Sequence, residues 1–327
     1  MPEILNRPAR PQSCLPLLAA SALALLMAAG AAIAQDDATD REALRERALT
    51  LVNESRQEND LSALSLGEAL NEAAASHAAD MAERNYYAHT SPEGDTVRDR
   101  FLDAGGSRWQ LVAENIARCQ ACASPPTIGD VEELHEGWMD SPPHRENILA
   151  RGLDRFGYGI VAQDDGLYAV QTFAGPGLPN GLQSDESAEP LAAEKQAEEA
   201  LRLVNQARTR RDLAPLEWST ALGEAADAML PALGGEEPQP GNNRDLFGSL
   251  PADARDAWRS IAMLSAQCSG CGVAPTTADI RAFRNQWLEN PGYAETLRGS
   301  DVTHIGVAMR ANGEGGKAAT ALLGTIR

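Results

Sequence analysis

Cys119 and Cys122 recur as Cys268 and Cys271, 149 positions later, and their surroundings recur with them. Pro126-Thr127 returns as Pro275-Thr276, Asp130 as Asp279, Trp138 as Trp287 and Gly157 as Gly306 at that same spacing. Nearer the N-terminus the spacing is 152: Leu51-Val52-Asn53 with Arg56 answers to Leu203-Val204-Asn205 with Arg208. Ala69-Leu70 and Glu72-Ala73-Ala74 likewise answer to Ala221-Leu222 and Glu224-Ala225-Ala226. The second copy has therefore lost a net three residues before Trp258, the counterpart of Trp109. Such a chain is a tandem repeat, and each copy must close its own core.

What lies outside the repeat is short. Residues 1–34 place Arg7 and Arg10 before an apolar, Ala-rich run from Leu15 to Ile33, with Ala32-Ile33-Ala34 ahead of Gln35. That pattern predicts a secretory signal peptide cleaved before Gln35, and hence a secreted or periplasmic protein. The membrane is a partner only where that segment is retained as an anchor. Residues 41–175 hold the first copy, 176–195 form a linker rich in Pro, Gly, Ser and acid, and 196–327 hold the second copy. A net charge of −19 disfavours nucleic acid and anionic lipid head groups as partners.

Periodicity predicts mostly helix in the first half of each copy. Leu44, Ala48, Leu51 and Val52 form one stripe. Leu70, Ala73, Ala74, His77 and Met81 form a second, on a helix over 67–84, which makes His77 a packed core histidine. Helical spacing returns in Ile128, Val131, Leu134, His135 and Trp138. Asp140 or Ser141 can cap a further helix with Pro142 and Pro143 in its first turn. A strand begins at Gly157, and 167–173 reads as its hairpin partner. Glu114 stands inside the apolar run 112–117, where a carboxylate needs a partner.

Four motifs then stand in order: His89-Thr-Ser-Pro-x-Gly, Glu114-Asn115-Ile116, Gly137-Trp138-Met-x-Ser-Pro-x-His144-Arg-x-Asn147-Ile-Leu and Gly157-Tyr-Gly. Together they resemble the bacterial branch of the CAP superfamily, which groups cysteine-rich secretory proteins, antigen 5 and pathogenesis-related proteins and is also called the SCP domain. The resemblance covers 44–175; the second copy shares only its skeleton. It implies an α+β fold, an α-β-α sandwich in two tandem copies. It also implies a cavity lined by two histidines and two acids: His89, His144 and Glu114 by motif. The second acid is expected three residues after the Trp, where Ser141 stands, so Glu136 is the nearest substitute.

The residue types carry chemistry of their own. Two imidazoles and a carboxylate can hold a divalent metal such as zinc and leave a position for water. In a helix's first turn the dipole keeps His144 neutral, as a metal ligand must be. An alternative is a hydrogen-bonded core cluster. In the second copy Glu114, Asn115 and His144 become Met263, Leu264 and Tyr293, while Glu136 becomes Asn285, so the candidate site belongs to the first copy alone.

For the cysteines, an oxidising compartment favours local disulfides Cys119–Cys122 and Cys268–Cys271. Four thiolates around one zinc is the competing arrangement. A thioredoxin-like pair lacks its βαβ context. The functional expectation is a secreted module binding a metal, a small molecule or lipid, or a cell-envelope partner. The alternative is a metal-dependent peptidase or esterase with Glu114 as base. No complete nucleophile triad is visible.

Overall fold

A computed structural model describes residues 40–120, 122, 124–164, 166–233 and 245–327. The expected signal segment and its cleavage site at Gln35 lie outside them. The chain divides into two compact units, Met1–Glu46 and Arg47–Arg327. The first contributes only residues 40–46, the start of a helix (α1) that runs over 40–57.

In the first copy α2 (Glu68–Glu83), α3 (Val97–Asp103), α4 (Ile128–Asp140) and α5 (Pro142–Ile148) surround a sheet of β1 (Ser65–Leu66), β2 (Leu111–Gln120), β3 (Arg155–Gln163) and β4 (Gly166–Gly175). The strand order is β1-β3-β4-β2, antiparallel except for the short β1–β3 pair. Layering follows from the two faces of β3. A Cβ at Gly157 or Gly159 would strike the α2 backbone at Leu70 or Ala75, so α2 lies directly on that face. The intervening Tyr158 points the other way and meets Trp138 of α4 edge to face. Helices on both faces of a small sheet make the predicted sandwich.

The second copy repeats it with α6 (Ala193–Thr209), α7 (Thr220–Ala228), α8 (Thr277–Glu289) and α9 (Pro291–Leu297). Its sheet is β5 (Glu217–Trp218), β7 (His304–Ala311), β8 (Lys317–Ile326) and β6 (Trp258–Cys268), in the order β5-β7-β8-β6. Leu322 packs with Leu222 and Ala226 of α7 on one face, and its neighbour Leu323 with Phe283 and Trp287 of α8 on the other. Both copies start α4 and α8 with a complete capping box, Thr127/Asp130 and Thr276/Asp279, which explains why that Thr-x-x-Asp recurs.

Register shows a slip that a fixed offset hides. Asn115 pairs with Gln171, whereas Leu264 pairs with Ala321; Cys119 pairs with Leu167, whereas Cys268 pairs with Lys317. The β7–β8 hairpin has one more residue than β3–β4, so β8 matches β4 at 150. Lys317 thus takes the place of Leu167.

The two copies touch through the second copy's cysteine loop. Gly270 and Gly272 donate to the carbonyls of Trp109 and Pro176, each at 2.7 Å. Gly177, at φ +73°, lies so close that a Cβ on it would sit 1.8 Å from the Gly270 carbonyl oxygen. Gly177→Ala is therefore expected to cost more than about 1 kcal/mol and to loosen this contact. Limited proteolysis should then cut the segment 176–191 faster than in the parent; unchanged cutting would show that the loop contact does not hold the copies together.

Candidate functional site

Three segments bring the first copy's polar residues together. Glu114 lies on β2 with its side chain only 2% exposed. Burial of a carboxylate demands partners, and two are present. Arg100 of α3 donates from Nη2 to Oε2 at 2.8 Å, and His89 Nδ1 lies 2.9 Å from Oε1. Arg100 also donates to the His89 carbonyl at 3.0 Å, which fixes the loop that carries the histidine. With Nδ1 turned to the carboxylate, the His89 ring leaves Nε2 as its outward nitrogen, on a side chain 56% exposed. His77 lies beneath, 4.0 Å from Glu114, with Nε2 3.0 Å from the Ala88 carbonyl. Burial, the leading cause, holds His77 below its ordinary pKa, against the pull of Glu114.

His144 is held by its backbone. Asn115 donates to the His144 carbonyl at 3.1 Å, and Asn147 donates to the carbonyl of Glu114 at 3.0 Å and to Asn115 Oδ1 at 2.9 Å. At the far end of α5, the buried Arg56 guanidinium donates from Nη1 to the carbonyls of Ile148 and Ala150, both at 2.8 Å. A cation on terminal carbonyls suits a helix C-terminus. Arg208 makes the same clamp on Leu297 and Gly299, which accounts for the repeated arginine. Burial, and then the charge His89 can carry, lower the His144 pKa, so the ring is neutral at pH 7.

His144 and Ser141 stand at one end of a cleft of about 390 Å³ between β2, α4 and α5. Ile116, Leu134 and Leu167 give it an apolar lining, Asp130 and Glu133 an acidic edge, and Cys119 and Cys122 its other end. Glu136 is not part of it: it is exposed, while Glu133, Gly137 and Ser141, spaced four apart, turn the neighbouring face of α4 and its C-terminal end toward the cleft. Ser141 occupies the N-cap position of α5 but its side chain makes no capping bond, contrary to the expectation from its position. Arg100, which no spacing singled out, is the residue that sequence reasoning missed. A signal for it existed only in the demand of Glu114 for a cation.

Both cysteine pairs close locally, with Cα–Cα distances of 5.9 Å for Cys119–Cys122 and 6.1 Å for Cys268–Cys271, which sets aside the shared four-thiolate site. Among the described residues no group of three or more His, Cys, Asp and Glu side chains is placed to hold a metal. His89 Nε2 and the neutral His144 suit a metal as donors. Glu114 does not, since each of its oxygens already has a partner.

The model of the cysteine-rich secretory protein family (CAP) matches residues 49–173 and again 201–323. The chain belongs to this family, twice over. The first CAP domain carries the polar site, and the second keeps the fold without it. The chain is 31% identical over 133 residues to the uncharacterized protein YkwD of Bacillus subtilis (strain 168), covering 41% of this chain and 48% of that one. It is also 31% identical over 125 residues to the uncharacterized membrane protein YlbC of the same organism, covering 38% and 32%. The chain thus spans half or less of the length of these relatives. Among solved structures, an extracellular protein containing a SCP domain from Bacillus anthracis str. Ames is similar at 28% identity. That match covers 41% of this chain and 40% of the other, with a TM-score of 0.33.

Proposed function

We propose that the protein is an exported binding module whose first CAP domain takes a small, partly apolar ligand in the cleft ending at His144. A divalent metal such as zinc would bind beside it, through His89 and His144. Glu114 acts behind His89: it accepts from Nδ1–H, fixes the tautomer and leaves Nε2 as the donor, the arrangement in which a carboxylate orients a metal-binding histidine. Bound zinc would supply a Lewis acid at the cleft mouth. The observation that carries this reading is the first domain's cleft itself, where apolar Ile116, Leu134 and Leu167 lie beside an acidic edge and His144 and Ser141 stand at one end. In the second domain Lys317 stands where Leu167 lines the cleft and lies on Asp279, the counterpart of cleft-lining Asp130. Export is supported by the N-terminal sequence and by two local disulfides.

Calorimetric titration of the full chain with zinc tests it. One site is expected, lost in His144→Tyr, which installs the residue of the second domain. Glu114→Gln should weaken binding by about 10–100-fold without abolishing it, the effect of removing a partner one shell out. Affinity should fall in acid, as protons compete with the metal for the ligand nitrogens. Equal affinity in His144→Tyr would refute the site. A peptidase and esterase panel, with and without chelator, addresses hydrolysis: chelator-sensitive turnover would replace the binding module by the enzyme.

A further inference from the structure

A groove in the second domain is about twice the size of the first domain's cleft. It encloses about 810 Å³ between α6 and α7, with β7 as its floor. The floor is an open sheet edge. β5 pairs with β7 only at His304 and Ile305. Glu217 and Ser219 donate to the carbonyls of Thr303 and Ile305, so the odd-numbered residues of β7 direct their backbone groups outward. The next two, Val307 and Met309, line the groove, and among the described residues no strand pairs with them on that side.

The first domain caps one more position of the same edge. There Gly67 donates to the Phe156 carbonyl, and the next outward amide, that of Tyr158, donates to Asn71 Oδ1 at 3.1 Å. Asn71 stands on α2 one turn after its start. Its counterpart in α7 is Gly223, which has no side chain, and Gly223 lines the groove. One difference between the copies thus exposes the Val307 amide that its equivalent has capped. Leu201 and Trp218 make the groove mainly apolar, and it carries carboxylates on both walls: Glu194 and Glu198 on α6, Glu224 and Asp227 on α7. Lys195 pairs with Glu198 and Arg310 with Asp227, while among the described residues no salt bridge engages Glu194 or Glu224.

We propose that the second domain binds an extended, basic peptide segment of another protein by strand addition to the free edge of β7. The peptide backbone would bond Val307 and Met309. Its apolar side chains would enter the groove, and its lysines or arginines would meet Glu194 and Glu224. Main-chain bonds supply affinity in this mode and the flanking walls supply selectivity. The six residues of β7 beyond Ile305 span roughly 20 Å at about 3.4 Å each, room for a strand of ordinary length. This rests on residues separate from the cleft of the first domain and is independent of its function.

The test uses the full chain and a dye-labelled octapeptide of alternating lysine and valine, read by fluorescence anisotropy. Binding is expected, with at least a tenfold loss when the amides on one edge of the peptide are N-methylated and a similar loss when lysine is replaced by glutamate. N-methylation keeps charge and side chains, so equal binding of the methylated peptide would reduce the interaction to attraction between opposite charges and overturn the proposal. Gly223→Asn, which restores the cap of the first domain, should abolish binding while zinc titration of the first domain stays unchanged. The Trp218 ring lies 3.0 Å from the new Cβ and must shift slightly. A Glu194→Lys, Glu224→Lys double variant therefore gives a second reading that leaves the helix packing intact; it should bind the glutamate peptide instead. Absence of binding by the parent, or unchanged binding in both variants, would overturn strand addition.

Discussion

Asp279→Ala should destabilise the protein by about 3–5 kcal/mol, the cost of leaving a buried cation without its partner. Lys317 and Asp279 both have side chains with no exposure, and Nζ lies 2.5 Å from Oδ2. Burial, the leading cause, lowers the pKa of Lys317, and only Asp279 opposes it. The two partners are not equivalent. Asp279 is also bonded by the Thr276 amide at 2.9 Å and the Thr276 hydroxyl at 2.8 Å, as part of a capping box. Lys317→Met should therefore cost less than Asp279→Ala, because the carboxylate it leaves behind keeps two donors at a helix N-terminus. An Asp279→Asn, Lys317→Met pair should recover most of the loss, since an uncharged pair of similar volume removes the burial penalty. Urea unfolding of the three variants at pH 7 measures this. Equal losses in the two single variants would sink the claim that the stranded lysine is the costly element.

The same pair explains why the second domain offers no cleft like that of the first. Where the first domain has Leu167 beside the half-buried Asp130, the second has Lys317 locked on Asp279. Comparing the copies at one offset could not reveal this. Offset 149 holds through β7, and a single added residue in the last hairpin moves β8 to 150. The sandwich itself was legible because its determinants are local: apolar stripes for α2 and α4, repeated capping boxes, and glycines where α2 sits on β3. His89 and Glu114 could be named by motif, and the structure places their side chains 2.9 Å apart. Arg100 could not, because the ion pair it makes joins α3 to β2 and depends on tertiary placement rather than spacing. Glu136 and Ser141 show the converse. Each satisfied a rule of position, yet one points to solvent and the other faces the cleft instead of capping α5.

His135, one more member of the α4 stripe, should dominate the acid response of the first domain. Its Nε2 lies 2.9 Å from the Ser55 hydroxyl, and its Nδ1 has no hydrogen-bond partner among the described residues. Burial first, and the nearby charge of Arg47 second, lower its pKa from 6.5 to about 4. The imidazole is neutral in the folded protein, while the unfolded chain takes up a proton near its ordinary value. Between those two values the unfolded state binds more protons, so stability falls as pH drops from about 6.5 to about 4 and is fully present above that window. A difference of this size is worth about 3 kcal/mol at the acid end. His77 and His144, lowered in the same direction, add to the slope. In the second domain Arg284 holds the position equivalent to His135, so the effect should be confined to the first. Hydrogen exchange followed by mass spectrometry from pH 7.5 to 4.5, corrected for intrinsic rates, should show α4 losing protection while α8 does not. His135→Gln can keep a bond to Ser55 without titrating and should flatten most of that loss. An α4 profile in His135→Gln that matches the parent would assign the acid sensitivity to other groups. A parallel loss in α8 would make it a property of the whole chain's charge.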